Sequence, residues 1–363
     1  MNEQAQKIPS ALLICKGSAK DGLGHITRTL TVAKGMQKVF SVKIVVIGDM
    51  FIDNLLAGRG VDYCIISDHI GAIKIFDTVA PDIVIFDLLY LDEEIFGYIK
   101  NSVTTISLSP IFNFLDQVDY IYHRTSILSD EWPTGPGKPI TKCGFEYTVI
   151  NQSCRKIPED VFKHNLDFQE LSVAISMGGT DAANKTLQVL RKIKTVPRKI
   201  LIWVILGEGY GHSYQDLLDS MKDSPNEIIL VKTNDSLWRI LSTCSIAILS
   251  GGTTTYEAVY AGLPSINLIE NNQYAFLIKE LLNEHVSVRV GESWEKGLEG
   301  LPFVLCDFFD HREKLLRMHQ HAKTLIDGFG AERIAQDIWT NYCSSVGNSR
   351  QLDTCLQGKI AIK

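Results

Sequence analysis

The 363-residue chain lacks the usual marks of a secreted, membrane-spanning or metal-clustered protein. Its eight cysteines, at 15, 64, 143, 154, 244, 306, 343 and 355, form no Cys-x-x-Cys pair, and several lie inside apolar runs. They read as reduced thiols, neither a disulfide framework nor a zinc site. No apolar stretch approaches the ~18–20 residues that a spanning helix needs. The polar start, Met1 to Lys7, lacks the basic and apolar regions of a signal peptide, so a cytoplasmic location is expected. Positive charge is not in excess: 36 Lys and Arg face 42 Asp and Glu, a net charge of −6, which argues against a nucleic-acid partner. There is no Asp-x-Asp pair, and neither metal nor cofactor is expected. Peripheral contact with a membrane and the oligomeric state are left open.

What is present is alternation. The length exceeds what one hydrophobic core usually supports, so two domains are expected. Strand-like runs at 11–15, 42–47, 64–66, 83–86 and 103–108 are interleaved with helical patterns at 26–38, 51–57 and 93–100. Residues 124–140 hold Pro133, Gly135, Pro136, Gly137 and Pro139 and read as loop, and 143–150 as one further short strand. A second series follows, with strands at 171–176, 200–206, 227–231, 246–249, 265–268 and 287–290. Its helices fall at 182–193, 213–221, 236–242, 254–261, 273–283 and 309–326. Repeated βα units imply parallel sheets covered on both faces. The fold class is therefore α/β, with two Rossmann-type doubly wound domains at 9–150 and 168–342 facing a central cleft, and a tail at 343–363. Periodicity alone also allows a periplasmic-type binding protein, against which the missing signal peptide argues.

Three glycine turns sit between an apolar run and a helical pattern. They are Gly22-Leu23-Gly24-His25, Gly178-Gly179-Thr180 and Gly251-Gly252-Thr253-Thr254. Glycine lets backbone N–H groups approach an anion, and a helix start adds unpaired donors and partial positive charge. Open α/β sheets bind ligands at such carboxyl-end turns. The glycines and Thr180, Thr253 and Thr254 are thus candidate diphosphate ligands, with Arg28 as a candidate phosphate partner. Only the first turn carries a histidine. At a helix start His25 would offer a neutral imidazole, the form a general base needs. Asp87 and Tyr90, at and after a strand end, are further candidates. His319 and His321 read as exposed helix residues.

The motifs Gly22–Arg28, Cys143-Gly144-Phe145-Glu146-Tyr147, Met177–Asp181 with Asn184, and Asn272-Gln273 occur in an order that resembles the UDP-sugar hydrolases of pseudaminic acid biosynthesis, relatives of the MurG-type GT-B glycosyltransferases. The resemblance covers roughly residues 10–290. It implies a GT-B-like pair of domains with UDP held mostly by the second. It also implies hydrolysis of an acetamido, deoxy sugar nucleotide at its anomeric carbon without a metal. It assigns His25 as the general base, Glu257 to the ribose hydroxyls, and Asn272 with Gln273 to the pocket. The chain departs from the pattern in its first half. Cys15-Lys16-Gly17-Ser18 stands where the family carries arginine and aspartate. Asp87-Leu88-Leu89-Tyr90 shifts the tyrosine by one position, and Ser109-Pro110 replaces an Asp-Asp pair. Three functions follow as expectations: UDP-sugar hydrolysis, transfer of the sugar to an acceptor, and nucleotide-sugar binding without turnover.

Overall fold

The computed structural model describes residues 8–127, 132–133, 135–233, 237–269 and 275–346. The first domain runs β1 (Ser10–Gly17), α1 (Gly24–Met36), β2 (Ser41–Gly48), α2 (Asp53–Leu56), β3 (Asp62–Ile66), α3 (His69–Val79), β4 (Ile83–Asp87), α4 (Glu93–Lys100), β5 (Thr104–Ser107), β6 (Tyr120–His123) and β7 (Ile140–Cys143). The second runs α5 (Glu159–Asp167), β8 (Leu171–Ser176), α6 (Lys185–Ile193), β9 (Ile200–Leu206), α7 (Tyr214–Met221), β10 (Glu227–Lys232), α8 (Leu237–Leu241), β11 (Ile246–Leu249), α9 (Thr253–Ala261), β12 (Ser265–Asn267), α10 (Phe276–Asn283), β13 (Ser287–Arg289), α11 (Trp294–Asp310) and α12 (Arg312–Leu325). A last helix, α13, spans Gly330–Ser345.

The strands of the first sheet are ordered β3-β2-β1-β4-β5-β6-β7, and those of the second β10-β9-β8-β11-β12-β13. Every pairing is parallel. The central strands read as continuous apolar runs because both faces are covered: Ala11 to Cys15 and Val173 to Ile175 are wholly buried. In each sheet the order reverses at one place, between β1 and β4 and between β8 and β11. Loops leaving the strands there diverge and open a crevice. All three glycine turns leave a strand at one of these reversals.

The alternating pattern expected from the sequence is present, with local differences. Helix α3 and strand β6 had no counterpart in the sequence reading. Helix α11 was also missed, since Gly297, Gly300 and Pro302 look like breakers. It forms because Ser293 Oγ accepts the Lys296 N–H and because Trp294, Leu301, Leu305 and Phe308 are buried. Gly297 is required there: a Cβ would stand 2.8 Å from the Val290 carbonyl oxygen. The strand expected at 143–150 does not form: β7 ends at Cys143, its first residue Ile140 falls in the stretch expected to be loop, and a 3-10 turn follows at Phe145–Tyr147.

The larger difference concerns α13, which the sequence reading groups with the second domain. By packing it joins the first. Ala331, Ile334, Ala335, Ile338 and Trp339 share one buried cluster with Phe40, Ile83 and Tyr122. The Phe40 and Trp339 rings meet edge to face at 5.4 Å. Tyr122 donates its hydroxyl to Asp337, which also pairs with Lys142 Nζ at 2.6 Å. The chain therefore crosses between the domains twice, before α5 and again before α13. Trp339→Ala should cost about 3–5 kcal/mol, the usual range for emptying a large aromatic site. In urea, the loss should appear in probes of the first domain; equal shifts in both domains would show that α13 is not the first domain's own element.

Candidate functional site

Helix α1 begins at the sheet reversal of the first domain and turns one face toward the carboxyl end of β4. His25, Arg28 and Thr29 lie at i, i+3 and i+4 and so share that face. All three converge on Asp87, the last residue of β4, which is 1% exposed. His25 Nδ1 stands 2.7 Å from Asp87 Oδ1. Arg28 donates from Nε to Oδ2 at 2.8 Å and from Nη2 to Oδ1, while Thr29 Oγ1 donates to Oδ2 at 3.2 Å. Burial alone would raise the Asp87 carboxyl above its ordinary range, but the Arg28 and His25 charges and hydrogen bonds outweigh it and hold the group well below.

An ionised Asp87 decides the histidine tautomer. Two bare acceptors cannot rest 2.7 Å apart, so the proton lies on Nδ1, although Arg28 Nη2 is also 3.0 Å from that atom. Nδ1 is thereby engaged, and His25 lines a cavity of about 240 Å³. Its walls combine Arg28, Arg124 and Thr253 with the apolar Leu89, Leu108, Pro110, Val149, Leu277 and Ile334.

A second cavity of about 510 Å³ adjoins it, sharing Asp21, Gly24, Gly252 and Thr253. It is lined by Gly22, Gly178, Gly179, Thr180, Gly252, Thr253, Thr254 and Glu257, and its size lies within the ~300–1,000 Å³ of small-molecule sites. The domains approach closely here. A Cβ on Gly179 would stand 2.9 Å from the Leu23 side chain, and one on Gly24 would stand 3.4 Å from Thr253 Oγ1.

The three helix starts at this cleft differ in charge. At α6, Asp181 accepts the Lys185 and Thr186 N–H groups, each at 2.8 Å, and so fills that terminus with a carboxylate. At α1 and α9 no side chain caps the helix, and neither first turn holds an acid. These two open N-termini meet across Gly24 and Thr253, one from each domain. Among the described residues, no group of three or more His, Cys, Asp or Glu side chains is placed to hold a metal ion. No described helix is long and apolar enough to cross a membrane.

No protein-family model matches the chain. It is 23% identical over 290 residues to the uncharacterized protein MJ1062 of Methanocaldococcus jannaschii, a match covering 76% of this chain and 59% of that one. It is 20% identical over 201 residues to the spore coat polysaccharide biosynthesis protein SpsG of Bacillus subtilis, covering 54% and 58%. The chain thus matches less than two thirds of the length of these curated relatives. Among solved structures, MurG of Acinetobacter baumannii superposes with a TM-score of 0.64 at 12% identity, covering 92% of this chain and all of that one. Anabaena HepE in complex with UDP-glucose gives 0.57 at 11% identity, covering 91% and 99%. MnaA of S. aureus with UDP gives 0.57 at 10%, covering 92% and 97%. The fold is GT-B.

The GT-B cleft gathers most of the residues singled out in the sequence. Gly22, Gly24, His25, Gly178, Gly179, Thr180, Gly251, Gly252, Thr253, Thr254 and Glu257 all line one or both cavities. Arg28 lines the histidine cavity too, yet its guanidinium is committed to Asp87 rather than free for a phosphate. Tyr90 lies apart: it is 52% exposed and packs on Phe112, with ring centroids 5.6 Å apart. Glu257 lies in the second turn of α9 and is buried. It accepts from the Asn151 N–H and from Trp238 Nε1, both at 3.3 Å, and burial raises its carboxyl pKa. Asn272 and Gln273 lie outside the described residues. His319, expected on the surface, is fully buried: it stacks on Phe162 at 4.2 Å, and its Nδ1 is 2.6 Å from the Gly262 carbonyl oxygen. His321 is on the exposed side, paired with Glu284.

Removing the Asp87 charge leaves Arg28 buried without its partner, a loss of about 3–5 kcal/mol for pairs of this kind. The Asp87 pKa is depressed on folding, so its stabilisation is complete above the unfolded value of about 3.9 and fades as pH falls below it. Urea unfolding of wild type and Asp87→Asn should therefore differ by a constant amount from neutral pH to about pH 5 and converge in stronger acid. A gap as large at pH 2 as at neutral pH would show that the carboxylate charge is not what stabilises the cluster.

Proposed function

We propose that the chain hydrolyses a UDP-activated sugar at its anomeric carbon, releasing the free sugar and UDP. The observation that carries this reading is the placement of the Asp87-oriented His25 Nε2 across one continuous cavity from the uncapped start of α9. Water attacks the anomeric carbon and gives its proton to Nε2. The bond from that carbon to the phosphate oxygen breaks, and its electron pair leaves with UDP. Backbone donors at Thr253 and Thr254 meet the departing charge, the task that preorganised dipoles perform best in a site closed from water. Glu257, which lines the larger cavity, takes the ribose hydroxyls, as the family resemblance implies.

The sugar chamber has an apolar wall of Leu89, Leu108, Pro110, Val149, Leu277 and Ile334. Such a wall suits methyl and acetyl groups better than a ring bearing hydroxyls throughout, because each unmatched hydroxyl would be desolvated without a partner. This supports a deoxy, acetamido sugar, as in the resemblance to the hydrolases of pseudaminic acid biosynthesis. The likeness to SpsG, a spore coat polysaccharide biosynthesis protein, supports a place in the supply of surface-polysaccharide precursors. A cytoplasmic site of action goes with this reading.

The test is UDP release from a panel of UDP-sugars with no acceptor, with and without a metal chelator. Release should persist under chelation and fall by about 10²–10⁴-fold in His25→Ala, the span of general-base contributions. Release that appears only when an acceptor is added would assign sugar transfer instead. Binding without release under any condition would leave a nucleotide-sugar binding protein, and full activity in His25→Ala would remove the base proposed here.

A further inference from the structure

The loop after β6 reaches from the first domain to the second and is clasped there by α10, before the chain returns to β7. Thr125 Oγ1 and the Ser126 N–H donate to Glu280 Oε2 at 2.7 and 2.8 Å, and Ser126 Oγ donates to Glu280 Oε1. Both carboxylate oxygens of Glu280 are thereby occupied. The clasp delivers the preceding residue, Arg124, to the wall of the histidine cavity, at the start of α9. Its guanidinium lies over the Tyr256 ring at 4.5 Å, and Nη1 is 3.4 Å from Thr253 Oγ1. Its Nε is enclosed and has no hydrogen-bond partner, and among the described residues no carboxylate pairs with the group.

This arrangement is costly for a protein with nothing bound. A guanidinium taken from water without a counter-charge loses hydration that an aromatic face restores only in part. The other buried cation of the cleft, Arg28, has its carboxylate; Arg124 does not. What Arg124 has instead is an open anion seat beside it, since Thr253 is the first residue of the uncapped α9.

We propose that Arg124 binds the sugar-bearing phosphate of the nucleotide and takes up the charge that this phosphate gains as the anomeric bond breaks. The proposal rests on the nucleotide-sugar reading above. In that step the electron pair of the bond between the anomeric carbon and the phosphate oxygen stays on oxygen, so the leaving UDP carries one more negative charge than the phosphate ester did. A planar guanidinium presents paired donors to two phosphate oxygens. Arg124 comes from the first domain and the α9 N-terminus from the second, so the terminal phosphate holds the two domains together.

The experiment is calorimetric titration of the full-length chain with UDP and with UMP, joined to thermal unfolding without ligand, for wild type, Arg124→Met and Arg124→Lys. Wild type should prefer UDP over UMP, and in Arg124→Met this preference should fall by about 30-fold, in line with truncating one partner of an enclosed charge pair. UMP affinity should be unchanged, and Arg124→Lys should restore part of the preference. The ligand-free melting temperature of Arg124→Met should equal or exceed that of wild type, because an uncompensated charge has gone. An Arg124→Met protein that keeps the UDP preference overturns the proposal. So does one whose ligand-free melting temperature drops, since the guanidinium would then serve the fold. Wild type that binds neither nucleotide overturns the underlying nucleotide-sugar reading instead.

Discussion

The cleft is organised around one buried carboxylate. Asp87 ends the strand beside β1, at the reversal of the first sheet, where a side chain points into the crevice with no water to solvate it. An isolated carboxylate there would take up a proton or destabilise the domain. Arg28 makes the charge tenable, and the geometry it imposes reaches further than the pair. Nε and Nη2 of one guanidinium reach both oxygens of one carboxyl group, which fixes the roll of α1 about its axis. The same roll brings Thr29 onto Oδ2 and His25 onto Oδ1. A stability requirement, neutralising a buried charge, thus sets which imidazole nitrogen is held and which is left unengaged.

The two domains repeat one topology, and after the second the described chain turns back. Helix α13 returns to the first domain and covers the face of its sheet with Ile334, Ile338 and Trp339. Gly330, at the start of that helix, sits so close to Thr148 that a Cβ would come within 2.1 Å of its carbonyl oxygen. The two crossings therefore touch one another at Thr148 and Gly330. A paired crossing restricts the ways the domains can move. Ile334 also lines the histidine cavity, so the strut that ties the domains forms part of its wall.

Much of this was legible in the sequence, because the fold rests on patterns that are local. Buried parallel strands appear as unbroken apolar runs such as Ile246 to Leu249, and each glycine turn follows such a run directly. The elements that were missed depend on distant partners. Helix α11 carries two glycines and a proline inside it, which only its packing against Val290 and Leu268 makes acceptable. His319 sits on a helix with polar neighbours, and only the Gly262 carbonyl and the Phe162 ring, far away in sequence, make it a core residue. The site shows the same division. The spacing of His25, Arg28 and Thr29 was present as a helical i, i+3, i+4 set, a signal for a shared target. Asp87 as that target, 62 positions from His25, could be known only from the sheet order. Arg124 gave no signal, because nothing local distinguishes an arginine in a loop from one that lacks a counter-charge.

The two second-domain turns show how one residue can divide similar motifs. Both read Gly-Gly-Thr after a buried strand, at 178–180 and at 251–253, and sequence alone gives them equal claims on a diphosphate. The next residue separates them. Asp181 turns back, with φ of +46°, and places its carboxylate on the N–H groups of Lys185 and Thr186. An anion approaching α6 would meet a negative charge already seated there. Thr254 leaves the start of α9 uncapped, and that terminus is the one beside Arg124 and opposite the open start of α1. The positive potential of the cleft is therefore concentrated at the point where the two domains meet. A phosphate bound there lies within the cavity that His25 lines, while the 178–180 turn is left to shape the wall of the larger chamber.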